Sequence, residues 1–198
     1  MAADAIIFDV DGTLWDSTPF FSAILGDLAS ASDEALSKKL RQGKSIVTLV
    51  SQYGVSRPAF RRACVERSDE LDLFEGIEET IAKLHASDMP LGIVTSLPGD
   101  TILIPLLEAK ELLPLFGTVI HAGNCRPGKP NPKGLRTALN MLDARATKSV
   151  FYVGDRDVDQ QTAANAGVSF AWASWGYQQE APDGSAVLLR KVTEILAL

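Results

Sequence analysis

Asp9 and Asp11 are carboxylates one residue apart at the end of an apolar run, Ile6-Ile7-Phe8-Asp9-Val10-Asp11-Gly12-Thr13. In an extended strand residues i and i+2 face the same way, so the two acids lie side by side where the strand gives out into a turn. Adjacent anions repel, and such a pair requires a bound cation, a shared proton or a cationic partner. Later segments supply hydroxyls, a lysine and further carboxylates that bear on which of these it is. Val94-Thr95-Ser96 ends a second apolar run with hydroxyls, which either donate to a phosphate oxygen or simply occupy strand positions. In Arg126-Pro127-Gly128-Lys129-Pro130-Asn131-Pro132, three prolines and a glycine restrict the backbone around Lys129. Its ammonium is either held near a fixed place or left as a solvated loop charge. Asp155 follows a glycine at the end of the run Ser149–Val153, and Asp159 comes one helical turn later on the same side. The helix dipole stabilises acids in a first turn, which accounts for Asp157 and in part for Asp159, but not for Asp155.

These groups need elements to position them. Ala5–Val10, Pro90–Thr95, Thr118–His121, Ser149–Val153 and Val168–Ala173 are short, often β-branched runs bounded by Gly, Pro or charge, and they read as strands. Between them lie amphipathic segments. Ile77, Ile81, Leu84 and His85 fall on one helical face, and Asn131-Pro132 reads as an N-cap with proline at the first helical position, opening a helix that carries Leu135, Leu139 and Leu142. Alternating strands and helices imply an α/β fold, a parallel sheet covered on both faces with ligands at the carboxyl ends of its strands. From Asp16 to Glu75 the rhythm breaks. Ser56-Arg57-Pro58 starts one of several helical stretches there, and Phe60, Ala63, Cys64 and Leu71 follow at near-helical spacing. Residues 16–75 are therefore expected to form a helical cap subdomain inserted after the first strand, with 1–15 and 76–198 forming the core.

Composition narrows the function classes. The 198 residues suffice for a buried core, and 46% hydrophobic with 22% charged residues excludes a disordered or fibrous chain. A net charge of −6 argues against nucleic-acid or anionic-membrane binding. The segment 16–75 holds eight Lys/Arg against nine Asp/Glu, nearly neutral beside an acidic remainder. That balance suits an anionic substrate between the two parts, or merely a solvated bundle surface. Cys64 and Cys125 lack metal-ligand spacing and read as reduced thiols, Cys64 packed in a helix. No stretch approaches the ~18 apolar residues of a membrane span, and the N-terminus lacks the features of a signal peptide, so a cytoplasmic protein is expected.

Taken in chain order, carboxylate pair, hydroxyl, lysine and second acidic cluster resemble the haloacid dehalogenase-like superfamily of phosphotransferases. Asp9-Val10-Asp11-Gly12-Thr13-Leu14 looks like its first motif, Thr95 its second, Lys129 its third, and Gly154-Asp155 with Asp159 its fourth. The helical insertion is similar to the cap of the phosphoglycolate phosphatase and β-phosphoglucomutase branch, and the resemblance implies a Rossmann-like three-layer core. It also implies that Asp9 is the nucleophile, forming an aspartyl-phosphate, and that Asp11 is the general acid and then base. Mg²⁺ would be held by Asp9, the Asp11 carbonyl and Asp155, with Asp159 supporting a ligand from behind. Thr95, with Ser96, and Lys129 would bind the phosphoryl oxygens. Arg41-Gln42-Gly43-Lys44 is either an exposed basic turn or similar to the cap loop of this branch, in which case Arg41, Gly43 and Lys44 would reach the substrate. The haloacid dehalogenases themselves have no acid at the position of Asp11. The chain is thus expected to be a phosphatase acting on a small phosphorylated metabolite, or a phosphomutase with the same site. A phospho-acceptor signalling domain fits less well, because there the lysine comes last and no cap is inserted. Trp15 and Asp16 either line the opening or pack, His85 and His121 are both expected to be structural with His121 the nearer to the site, and Trp172 and Trp175 are expected to pack.

Overall fold

Side chains of strand β1 (Ala5–Phe8) alternate between two cores, Ala5 and Ile7 on one face of the sheet, Ile6 and Phe8 on the other. Burial on both faces is what a continuous apolar run in a parallel sheet requires. The structure is a computed structural model and describes residues 3–181, 184 and 186–198. Six parallel strands form the sheet: β1, β2 (Leu91–Val94), β3 (Thr118–Ile120), β4 (Val150–Gly154), β5 (Ser169–Ala173) and β6 (Val187–Leu189), in the order β3-β2-β1-β4-β5-β6. The strand order reverses between β1 and β4, and in such sheets the crevice at that switch point is where ligands bind.

Helices α1 (Ser17–Ala29), α2 (Asp33–Arg41), α3 (Ile46–Gln52) and α4 (Arg57–Glu66) follow β1. Asp16, Ser32, Ser45 and Ser56 cap their N-termini through side-chain oxygens, each satisfying an amide that the first turn leaves without a partner. Phe21 of α1 meets Phe60 of α4 with ring centroids 5.9 Å apart. Their apolar cluster is continuous with Phe8 and Ile93 on one face of the sheet. α5 (Ile77–Ala86) and α6 (Ile104–Ala109) lie on that side, while α7 (Lys133–Met141) and α8 (Asp157–Ala166) cover the opposite face. No helix among the described residues is long and apolar enough to cross a membrane.

Several expectations need correction. The five expected strands are each trimmed or shifted at their ends, and a sixth, β6, joins them. β6 lacked a sequence signal because Val187 and Leu188 are exposed at the sheet's edge. α7 begins at Lys133, one residue later than expected, so Pro132 occupies the cap position while Asn131 Oδ1 still accepts from the Lys133 amide. His85 is exposed, not part of the buried face of Ile77, Ile81 and Leu84. Leu142 lies just beyond α7, and Leu71 beyond α4. Both cysteines are free, Cys64 buried in α4.

Candidate active site

The ends of β1 and β4 bring Asp9 and Asp155 together across the switch point. Asp9 leaves the strand with its amide still donating to Val153 O at 2.8 Å, which ties the two strand ends to each other. Both carboxylates are buried, as is Asp159 in the first turn of α8. One oxygen from each of Asp9, Asp155 and Asp159 lies within 4.8 Å of the others. Three buried anions at this spacing demand neutralisation. Part of it comes from Lys129, whose Nζ lies 2.9 Å from Asp9 Oδ1 and 2.6 Å from Asp159 Oδ1. Burial alone would lower the lysine's pKa, but Asp159 and then Asp9 outweigh it and hold the ammonium above its ordinary range. Lys129 is therefore no solvated loop charge.

Arg156 contributes less, its Nε lying 3.8 Å from Asp155 Oδ2. Asp159 has both oxygens engaged, Oδ1 by Lys129 and the Tyr152 hydroxyl and Oδ2 by the Arg156 amide. Asp155 Oδ2 accepts from the Tyr177 amide at 2.8 Å, but its Oδ1 is buried without a hydrogen-bond partner. Burial, reinforced by Asp9 and Asp159, pushes the Asp155 carboxyl up to about 7. An unpartnered buried carboxylate oxygen facing a second carboxylate is a donor set for a hard divalent cation. Asp9 and Asp155 fit as its ligands, with Asp159 holding Lys129 and the start of α8 behind them.

Asp11 stands apart from this trio. Its Oδ1 accepts from the hydroxyls of Ser17 and, at 3.3 Å, Tyr177, and neither bond uses Oδ2. Burial raises its carboxyl to about 6 against the lowering effect of the Ser17 hydrogen bond, with Asp9 adding to the rise. A group with that value carries a proton often enough near neutral pH to donate it. The approach is close. Gly12 has φ +85°, and a Cβ there would lie 2.5 Å from Asp155 Oδ2. Two indoles brace the same loops, Trp175 Nε1 donating to Thr13 O at 3.0 Å and Trp172 Nε1 to Asp155 O at 3.2 Å.

A cavity of about 630 Å³ opens above these carboxylates. Of the residues singled out in the sequence, Asp9, Asp11, Thr95, Ser96, Lys129, Gly43 and Lys44 line it. Arg41 instead pairs with Asp16 at 3.4 Å and lies over the Tyr177 ring at 5.9 Å, with Arg156 also against that ring at 5.1 Å. Trp15 is fully buried and packs, whereas Asp16 caps α1. His121 is buried with its Nδ1 accepting from the Gly123 amide. Ser17, Tyr152, Arg156 and Tyr177 were missed. Ser17 offered a faint signal as a hydroxyl opening a helix just after the acid pair; Tyr177 offered none.

The chain matches the haloacid dehalogenase-like hydrolase family over residues 6–173. It is 28% identical to the phosphoglycolate phosphatase of Pseudomonas syringae pv. tomato over 203 residues, an alignment spanning 89% of this chain and 71% of that protein. It is 27% identical to the pyrophosphatase PpaX of Listeria welshimeri over 210 residues, spanning 98% and 94%. A crystal structure of a candidate phosphoglycolate phosphatase from Lactobacillus plantarum has the same fold, with a TM-score of 0.78 and 25% identity over 100% of this chain and 99% of that one.

Proposed function

The chain belongs to the haloacid dehalogenase-like hydrolase family, and we propose that within it the protein is a Mg²⁺-dependent phosphatase. On this reading it hydrolyses a small phosphorylated metabolite of the cytoplasm through an aspartyl-phosphate on Asp9. Residues 16–75 serve as a cap over the core. The carrying observation is the division of labour between two adjacent acids: Asp9 is clamped by Lys129, while Asp11 is raised to about 6. The phosphatase names of the relatives point the same way.

A carboxylate oxygen of Asp9 attacks phosphorus, the bond to the ester oxygen breaks, and Asp11 gives its proton to the departing alkoxide. In the second half Asp11 takes a proton from water as that water attacks phosphorus. The bond between phosphorus and the Asp9 oxygen then breaks, releasing inorganic phosphate. Lys129 and the Thr95 and Ser96 hydroxyls hold phosphoryl oxygens, and Lys129 keeps its proton throughout because the carboxyl groups of Asp159 and Asp9 hold its ammonium above its ordinary range. Mg²⁺, held by Asp9, Asp155 and the Asp11 carbonyl, would supply charge balance for the phosphoryl group. Most of this chemistry is positioning and charge stabilisation, for which these groups are sufficient.

The test is release of phosphate from p-nitrophenyl phosphate and a panel of monoesters, including phosphoglycolate and hexose phosphates, with Mg²⁺ and with chelator. Asp9→Asn is expected to abolish turnover while leaving the circular dichroism spectrum unchanged. Substantial residual turnover would remove Asp9 as nucleophile. Isomerised sugar phosphate without released phosphate would assign a phosphomutase instead.

A further inference from the structure

Two hydroxyls from distant segments hold the Asp11 carboxyl at the same oxygen. Ser17 opens α1, and Tyr177 lies in the loop after β5 with its hydroxyl 3.3 Å from Asp11 Oδ1. The backbone of Tyr177 is fixed: its amide donates to Asp155 Oδ2 at 2.8 Å, and a Cβ on the preceding Gly176 would lie 2.4 Å from Gly12 O. Its ring lines the cavity, where an aromatic side chain without neighbours has other rotamers open to it. Two guanidinium groups lie against that ring, Arg156 at 5.1 Å and Arg41 at 5.9 Å. Arg156 comes from the end of β4, whereas Arg41 is the last residue of α2, among the helices that follow β1. Arg41 does not line the cavity, so contact with substrate does not account for its place. Asp16 holds its guanidinium at 3.4 Å, and Asp16 is itself anchored as the cap of α1, its Oδ1 accepting from the Thr18 amide at 2.9 Å. A guanidinium stacks by its face while pairing by its edge, which an ammonium cannot do. One chain of contacts thus runs from the cap of α1 through Asp16, Arg41 and the Tyr177 ring to Asp11.

We propose that Arg41 is a positioning residue for the acid–base step. Oriented by Asp16, it keeps the Tyr177 ring where the hydroxyl directs the Asp11 carboxyl at the departing oxygen. The inference rests on the phosphatase reading, which makes Asp11 the proton donor. The Arg41 side chain is 54% exposed, so the link is weak and its effect on rate is a few-fold. Ser17 holds Asp11 independently, which sets the same limit.

Dependence on the leaving group separates this role from a structural one. A departing phenolate gains far more from a proton than p-nitrophenolate, which is a stable anion, so a misaligned acid slows phenyl phosphate selectively. Values of kcat/KM in Mg²⁺ would be measured for both esters with the wild-type protein, Arg41→Gln, Tyr177→Phe and the double variant. Arg41→Gln is expected to lower kcat/KM for phenyl phosphate about 2- to 5-fold, and that for p-nitrophenyl phosphate by less than ~1.5-fold. Tyr177→Phe keeps the ring and removes the hydroxyl, so in that background Arg41→Gln should add no further loss. A crystal structure of Arg41→Gln, solved beside that of the wild-type protein, should show the Tyr177 hydroxyl moved beyond roughly 3.5 Å from Asp11 Oδ1. An equal fall for the two esters, a loss that persists undiminished without the Tyr177 hydroxyl, or no loss at all overturns the proposal. Wild-type turnover with an unmoved tyrosine in Arg41→Gln removes the Arg41 link alone. A displaced tyrosine in Arg41→Gln, when the wild-type protein turns over neither ester, removes the phosphatase reading alone.

Discussion

Tyr177 acts with two different atoms. Its amide donates to Asp155 Oδ2 and its hydroxyl to Asp11 Oδ1, while its ring lies against Arg41 and Arg156. Tyr177→Phe keeps the amide and the ring but removes the hydroxyl. Ser17 still holds Asp11, so the expected loss in kcat is modest, about 3- to 10-fold, with KM little changed. Steady-state assays on an aryl phosphate check this, and an equal rise in KM would mean that the hydroxyl binds substrate instead. Lys129→Met should be far more damaging, because it leaves Asp9 and Asp159 buried without their cation. A loss of roughly 3–5 kcal/mol in urea unfolding is expected without metal, together with loss of activity. The contrast between these residues explains what was legible. Asp9, Asp11, Lys129 and Asp155 each stand at the end of an apolar run or in a proline-restricted loop, so sequence alone marks them. Tyr177 reaches Asp11 from 166 positions away, a meeting that depends on the segment after β5 returning over the end of β1. Trp172 and Trp175 were legible as packing residues, but not as donors to the loops that carry the acids.

The elements were easier to find than their ends. Short apolar, often β-branched runs marked five strands because those strands are covered on both faces, and the same logic failed for β6, whose edge position leaves two of its three residues exposed. The helix start announced by Ser56 follows from capping chemistry, yet Asn131-Pro132 misled by one position because the asparagine caps from one residue further out. The junction of β4 and α8 is where element geometry and site geometry coincide. A Cβ on Gly154 would come within 2.6 Å of Asp159 Cβ. The missing side chain is what lets α8 begin directly over the strand end, with Asp159 bonded to the Arg156 amide and to Lys129. Gly154→Ala should therefore force Asp159 away from Lys129 and cost about 1–3 kcal/mol by overpacking. Urea unfolding would measure the cost, and a fully stable variant with unaltered activity would refute the close-approach argument.

For the whole molecule, stability should depend on how the site's charge is balanced. Burial, then the fields of Asp9 and Asp159, puts Asp155 at about 7, and burial puts Asp11 at about 6, whereas an unfolded aspartate titrates near pH ~4. Between those values the folded chain retains protons that the unfolded chain has released. A raised carboxylate pKa thus favours folding at low pH, and its contribution declines as pH rises toward 7. Lys129 has no part in this window, since its pKa is raised from an already basic value and its stabilising contribution is lost only in strong alkali. A divalent cation on Asp9 and Asp155 needs the carboxylates deprotonated, so it competes with the proton and should bind more tightly as pH increases. Thermal unfolding in chelator is expected to fall by roughly 5–10 °C between about pH 5 and pH 8. Over the same interval the rise in Tm produced by Mg²⁺ should grow, because it replaces the departing proton with a cation at the same oxygens. Asp155→Asn removes the carboxyl raised to about 7 and the partnerless oxygen together, and should flatten both trends. A chelated protein whose Tm climbs through this interval, or a Mg²⁺ increment independent of pH, would show that the buried acids are neutralised by some other group.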